Sequence, residues 1–528
     1  MTTKLGYLAV VALCCCGYAY GEGRMPVRVT EWTLLDATDG RDDLVVRMSR
    51  ILPSAQRKMT VSVTSLDVRD VATGDGRVYL RLAPMPSSRP QKGPDFEIDG
   101  TAMRIVPLTN GYPLVELPYR GGEAGRIAAL QAYQRKVRPY RSGRDGVLLS
   151  NTWGDNNGDA RINAAFMAKE IAAGAELGVD VIQVDDGWQR GRTQNTRKTP
   201  LPGFAKAWGN YWDTDPRFWD VDTERFPDGL KPLVEAAAAK GIVFGLWFGP
   251  DSSDELKYWE RDAEFLLGLY RNLGIRYFKI DSLKIQTPVA LARNRRFFSR
   301  MLEESGGEMV FDLDCTADVR PGYFGMMDIG PLFLENRYPR KHKIYRPHMT
   351  LRNLWSLAHV VDPVRLRIEF LNPASRPELW GDDPLAPSCW PADALFAIAM
   401  TASPLAWMEL SEIRPDTMAA WKPLVATWKA ERARMHGGTI FPVGEEPDGF
   451  AWTGFLSRAA DGKGGYALLF REANDRASHR LDLRPWMGGN ACRSVRVIGG
   501  RGTASLADGR FLDVEIPGSL DFVWVKID

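Results

Sequence analysis

Asp281 closes the run Tyr277-Phe278-Lys279-Ile280-Asp281, and Lys279 stands two residues before it. Residues two apart on a β-strand share a face, so the ammonium and the carboxyl point to the same side. A lysine facing inward from a buried strand is costly unless paired; a Lys–Asp pair facing a ligand accounts for both residues. A carboxylate so held can serve as nucleophile or general base. Asp185-Asp186-Gly187-Trp188 is a second group of this kind, because two adjacent acids between an apolar run and Gly-Trp repel unless something polar meets them. The plain alternatives are an Asp that caps a helix and, for Trp247, an indole that only fills the core.

The elements that must carry these residues are short apolar runs alternating with helix-like stretches. The runs are Leu148 to Trp153, Val179 to Asp185, Ile242 to Trp247, Ile275 to Asp281, Met309 to Asp314, Pro331 to Glu335, Leu366 to Phe370 and Pro404 to Glu409. Helices are expected at Ile162 to Leu177, Leu230 to Lys240, Leu256 to Leu273 and Pro288 to Ser305. Eight βα units over about 260 residues match a (β/α)8 TIM barrel, here spanning residues 148–436. Function in such a barrel gathers at the C-terminal ends of the strands. Those ends carry Trp153, Asp185-Asp186 with Trp188, Trp247, Asp281, Asp314 with Cys315, Glu335-Asn336-Arg337, Glu369, and Trp407 with Glu409. Carboxylates grip hydroxyls and move protons, and Trp offers a sugar ring an apolar platform.

On either side the texture is β. Residues 24–120 hold alternating runs such as Leu44 to Met48 and Met59 to Val63, which suggests a small N-terminal sandwich. Residues 121–147 begin with helical periodicity and read as a linker helix. Residues 437–528 return to strand-like runs, among them Phe450 to Phe455, Tyr466 to Phe470 and Asp521 to Lys526, and suggest a C-terminal antiparallel sandwich.

At 528 residues with a formal charge of +2, the chain has room for two or three domains and no charge bias toward nucleic acid. Residues 1–23 read as an export signal, with Lys4 ahead of the apolar run Leu5 to Cys16. This run is too short to span a bilayer, and the expected location is periplasmic or extracellular. Cys14, Cys15 and Cys16 are candidates for a lipid anchor, set against three small apolar residues in a signal core. No later apolar run is long enough to span a membrane. Beyond them only Cys315, Cys389 and Cys492 remain, without metal-ligand spacing, and there are five His, so neither a metal nor another cofactor is expected.

The ordered motifs carry a resemblance. Asp185-Asp186-Gly187-Trp188 resembles the LDDGW element of family 36 glycoside hydrolases, the α-galactosidases related to families 27 and 31. Phe226-Pro227-Asp228-Gly229-Leu230-Lys231-Pro232-Leu233, followed by Gly241 to Phe248, is similar to the family's FPxGLKPL and GxxFGLWF block. Phe278-Lys279-Ile280-Asp281 resembles its KWD segment. The resemblance implies a retaining exo-α-glycosidase working by double displacement, with Asp281 as nucleophile and a second carboxyl about 5–5.5 Å away as acid/base. Glu335 is the expected acid/base, with Asp328 as runner-up. Asp185, Asp186 and Lys279 would bind the sugar, Trp153, Trp188 and Trp247 would line the pocket, and Cys315, Arg320 and Arg337 would add contacts. The expected partner is an oligosaccharide or glycoside. The alternatives are an α-N-acetylgalactosaminidase, an α-glucosidase, a transglycosylase, or a non-catalytic carbohydrate-binding barrel.

Overall fold

The computed structural model describes residues 31–528 except 41–42, 52–57, 62–64, 71, 83–95, 100–101, 106–112, 155–157, 315–322, 335–345, 375–376 and 490. The expected export signal and lipid-anchor cysteines therefore lie outside the described residues.

The N-terminal part forms two antiparallel sheets. Strands β1 (Glu31–Gly40), β2 (Asp43–Ile51), β4 (Ser65–Arg69), β5 (Gly76–Arg81) and β8 (Leu114–Tyr119) pair in the order β2-β1-β4-β5-β8. Strands β3 (Lys58–Val61), β6 (Phe96–Asp99) and β7 (Ala102–Ile105) form the other sheet.

Helix α1 (Gly122–Val137) follows. It is more than a connector, because its polar side chains are spent on both neighbouring regions. Gln131 Nε2 donates to the Ile440 carbonyl at 2.5 Å, and Gln134 Nε2 donates to that of Val360 at 2.9 Å. Arg135 pairs with Asp362 at 2.7 Å.

The central domain is a closed parallel barrel of eight strands: β9 (Leu149–Asn151), β10 (Val181–Val184), β11 (Val243–Phe248), β12 (Tyr277–Ile280), β13 (Val310–Asp314), β14 (Leu332–Leu334), β15 (Leu366–Glu369) and β16 (Ser403–Ala406). Each lies inside the run expected for it or passes its end by a single residue, including the short β14. Around the barrel lie α2 (Ala164–Leu177), α3 (Tyr211–Thr214), α4 (Lys231–Ala238), α5 (Trp259–Leu273), α6 (Pro288–Glu304), α7 (Tyr323–Met326), α8 (Pro347–Leu357), α9 (Ala392–Ala399) and α10 (Pro415–Gly437). Local chemistry sets their ends: the Asn163 side chain accepts from Phe166 N–H, and Thr287, ahead of Pro288, accepts from Ala290 N–H. Gly178 and Gly274 close α2 and α5 with positive φ. Among the described residues no helix is long and apolar enough to cross a membrane.

Strands β17 (Thr439–Gly444), β18 (Trp452–Arg458), β19 (Gly465–Arg471), β21 (Val495–Gly500) and β24 (Asp521–Ile527) make a C-terminal sheet, faced by β20 (Ser478–Asp482), β22 (Thr503–Ala507) and β23 (Phe511–Glu515). Leu512 and Val514 of the smaller sheet share a buried apolar cluster with Phe441, Leu469 and Val525 of the larger one.

Candidate active site

Asp281 follows β12 directly, at the barrel's C-terminal end. It caps no helix: α6 begins at Pro288, and Thr287 is its cap. Both carboxyl oxygens hold a donor instead. Trp247 Nε1–H donates to Oδ2 at 3.0 Å, and the Ser282 amide donates to Oδ1 at 2.6 Å. Ser282 achieves this at φ 55, a left-handed conformation that a residue with a Cβ adopts at some cost. Its carbonyl is held by Ser252 Oγ–H at 2.8 Å, and the Asp281 amide is tied to Phe248 O at 3.0 Å. The side chain is half-buried. Burial and the Asp314 charge push the Asp281 carboxyl up from the usual range, against Lys279 and the two N–H donors.

Lys279 is 2% exposed and fully engaged. Its ammonium lies 3.0 Å from Asp185 Oδ2 and 3.0 Å from Asp314 Oδ2, and 4.4 Å from the centre of the Phe333 ring. Asn151 Nδ2–H joins the same Asp185 oxygen at 2.7 Å. The inward lysine expected from the sequence is thus paired, and with two acids of its own chain.

The Asp185-Asp186 repulsion is relieved by sending the two side chains to different partners. Asp185 turns to Lys279 and Asn151. Asp186 accepts from Gln189 Nε2 at 2.8 Å and from the Thr193 hydroxyl. Burial, which outweighs those bonds, pushes the Asp186 carboxyl up to about 7, and the nearby Asp185 and Asp159 charges add to the rise. The polar company that the sequence assigned to a ligand is therefore supplied from within. Gly187 sits at φ 122, where a Cβ would come within 2.5 Å of Arg225 Nη1. That guanidinium donates to Gly187 O and pairs with Asp159 at 2.8 Å, so only glycine fits beneath it.

Trp188 needs correction as a pocket-lining residue. It is 0% exposed, and its indole N–H is spent on the Trp247 carbonyl at 2.8 Å. It buttresses Trp247 from behind, packed near Trp219 and Phe265. Trp247 itself is buried and meets the site through its N–H. Trp153 closes β9's end, its amide held by Asn151 Oδ1 at 3.0 Å.

Cys315, Arg320, Glu335 and Arg337 lie outside the described residues, although Leu334, just before Glu335, ends β14 at the catalytic rim. Asp328 lies ahead of β14, at the opposite end of the barrel, where it pairs with Arg295 at 2.6 Å. It is not brought to Asp281.

Two residues that the sequence did not name join the site, Asn151 and Trp208, and a third, Asp314, was placed at a strand end without a role. Asp314 and Asn151 are inward acceptor and donor on strands already recognised, and two-residue alternation could have found Asn151 and the pairing of Asp314 with Lys279. Trp208 is a half-buried indole stacked on Trp247, centroids 6.3 Å apart. It comes from a loop without periodicity, and nothing in the sequence marked it.

Residues 130–258 match the Melibiase family. α-Galactosidase 1 of Pediococcus pentosaceus is 25% identical over 149 residues, which make up 27% of this chain and 18% of that protein. An α-galactosidase of Escherichia coli is 27% identical over 89 residues, 17% of this chain and 10% of that protein. The aligned stretches thus span under a fifth of these relatives' own lengths. Among solved structures, a family 36 α-galactosidase of Geobacillus stearothermophilus superimposes with a TM-score of 0.66 at 15% identity, covering 96% of this chain and 75% of that one. An α-galactosidase of Lactobacillus brevis gives 0.67 at 13% identity, with 95% and 74% covered. At such identities these two show a shared fold. Variants of the Geobacillus protein have been solved with raffinose and with stachyose.

Proposed function

We propose that this chain, whose residues 130–258 match the Melibiase family and whose fold is that of family 36 α-galactosidases, is a retaining exo-α-glycoside hydrolase of the α-galactosidase type. The observation that carries the reading is the setting of Asp281. It is the half-buried carboxylate at a barrel strand's C-terminal end, with each oxygen aimed by an N–H donor and with Lys279 two residues away on the same face. A nucleophile must present one oxygen to the anomeric carbon in a fixed orientation, and the Trp247 and Ser282 donors supply that. The raised affinity of Asp281 for protons reflects burial first and then crowding by Asp314, and that neighbouring negative charge favours the partial positive charge that develops on the sugar in an oxocarbenium-like transition state.

In this mechanism Asp281 displaces the aglycone and forms a glycosyl ester. Glu335, next after β14, protonates the departing oxygen and then takes a proton from water, which cleaves the ester. Trp208 offers the apolar platform. The substrate class is an α-galactoside, by analogy with the proteins named above.

A fluorinated α-galactosyl donor that accumulates the glycosyl-enzyme tests this directly. Peptide mapping should place the label on Asp281, and the first-formed product should be the α-anomer. Asp281→Asn should abolish turnover with the fold intact; unchanged activity would sink the assignment. Glu335→Ala should cripple substrates with poor leaving groups, spare activated aryl glycosides and respond to azide. Binding without any adduct would favour a carbohydrate-binding barrel. Labelling by a glucosyl or N-acetylgalactosaminyl donor instead would reassign the sugar.

A further inference from the structure

Lys279 has a choice of anions inside the barrel. Its register partner on β13 is Asp312, directly across the ladder, whereas Asp314 lies two residues further on, about 6.6 Å along the strand. A lysine's four-carbon stem reaches either. The ammonium nevertheless sits with Asp314 and Asp185, at the catalytic end. Asp312 is already taken. Arg367, on β15, reaches past β14 and donates to both its oxygens, Nε–H at 2.8 Å and Nη2–H at 3.2 Å, while Nη1–H is fixed on the Val147 carbonyl at 3.1 Å. Both residues are fully buried, so neither has water as an alternative partner.

We propose that Arg367 is a positioning residue for Lys279: by filling Asp312 with two donors, it leaves the ammonium only the acids at the catalytic end. This rests on the reading of Asp281 as nucleophile, since Lys279 serves Asp281 only from that upper position. Without Arg367, a buried and unpaired Asp312 becomes the strongest anion within reach, and Lys279 turns down to it. Among the described residues Asp281 then faces Asp314 and Asp185 with the Trp247 and Ser282 donors and the buried Tyr211 ring nearby, and it takes up a proton more readily.

Three forms decide this: the wild type, Arg367→Met, and Arg367→Met combined with Asp312→Leu, which removes the competing anion with its guanidinium. With an aryl α-galactoside, Arg367→Met should lower kcat about 100-fold, the scale of a misplaced catalytic group, and move the acid limb of kcat/KM to higher pH. The double variant should return to within about tenfold of wild type with its acid limb restored. In crystals, the Lys279 ammonium should lie on Asp312 in the single variant and on Asp185 and Asp314 in the double. A folded single variant whose Lys279 keeps Asp185 and Asp314 overturns the proposal, and so does a double variant as impaired as the single. If Arg367→Met does not fold, Arg367→Gln, which leaves Asp312 one neutral donor in place of two charged ones, should give the same displacement of Lys279 and the same shift of the acid limb in smaller measure. Should the wild type prove inactive on α-galactosides, the functional reading fails, but the position of Lys279 in the crystals still decides this inference.

Discussion

The two ends of the barrel interior are both charged and both buried, yet they are balanced in opposite directions. At the end where the strands enter, the guanidinium groups of Arg138, Arg144, Arg365 and Arg367 meet two carboxylates, Asp145 and Asp312. The surplus cations are satisfied by backbone carbonyls, among them Val147 O and Arg138 O. At the end where the strands leave, Asp185, Asp281 and Asp314 share the single ammonium of Lys279 among the described residues. Carbonyls cannot relieve surplus carboxylates, because they accept and do not donate. Only a few N–H groups help there: Trp247, Ser282 and Asn151. A closed, hydrogen-bonded surplus of cations is architecture. A surplus of acids gathered around the half-buried Asp281 is chemistry held ready for a positive charge that arrives with the reaction.

The comparison breaks most visibly if Lys279, the one ammonium at the acid-rich end among the described residues, is removed. Lys279→Met should lower kcat/KM about 1000-fold, the scale of losing a preorganised electrostatic contact, and should shift the acid limb upward because Asp281 loses its nearest positive charge. A pH–rate profile checks both effects. An unchanged acid limb would mean that Lys279 acts only in packing. Asp314→Asn should act more mildly and with the opposite sign. Removing a neighbouring anion favours the ionised form of Asp281, so the acid limb of kcat/KM should move to lower pH. If both substitutions move the limb the same way, the charge balance described above is not what sets Asp281.

Much of this was legible in the sequence because strands write their positions in it. Eight apolar runs fixed eight barrel strands, and two-residue alternation put Lys279 and Asp281 on one face. The C-terminal end of each strand then located the site. Pairing was less legible. The sequence put Asp185 and Asp186 together against a ligand, whereas each found internal donors: Lys279 and Asn151, on other strands, for one, and the nearby Gln189 and Thr193 for the other. Trp188 carried a motif that resembles a pocket residue, but its indole N–H goes to Trp247 O, a contact between two strand ends that no local pattern encodes. Trp208 was missed for the converse reason: its loop has neither period nor motif.

The smallest expected effect sharpens the contrast from the other end. Asp145 accepts from Arg138 at 2.7 Å and from Arg144 at 2.5 Å, in the loop that closes the barrel's entry. Burial works against its charge, but the two guanidinium groups and the Arg141 amide win and hold the carboxyl down to about 2. A depression of that size corresponds to about 2 kcal/mol of stability. Because the folded value lies below the unfolded one, that stability is complete above about pH 4 and is lost as pH falls through about 2. Asp145→Asn should therefore lower the urea midpoint at pH 7, and its deficit against wild type should shrink steadily as unfolding is measured toward pH 2. The rate on glycosides should stay where it was, because no part of this loop reaches Asp281. A loss of kcat without a loss of stability would mean that the two ends of the barrel are coupled through more than the Arg367–Asp312 contact.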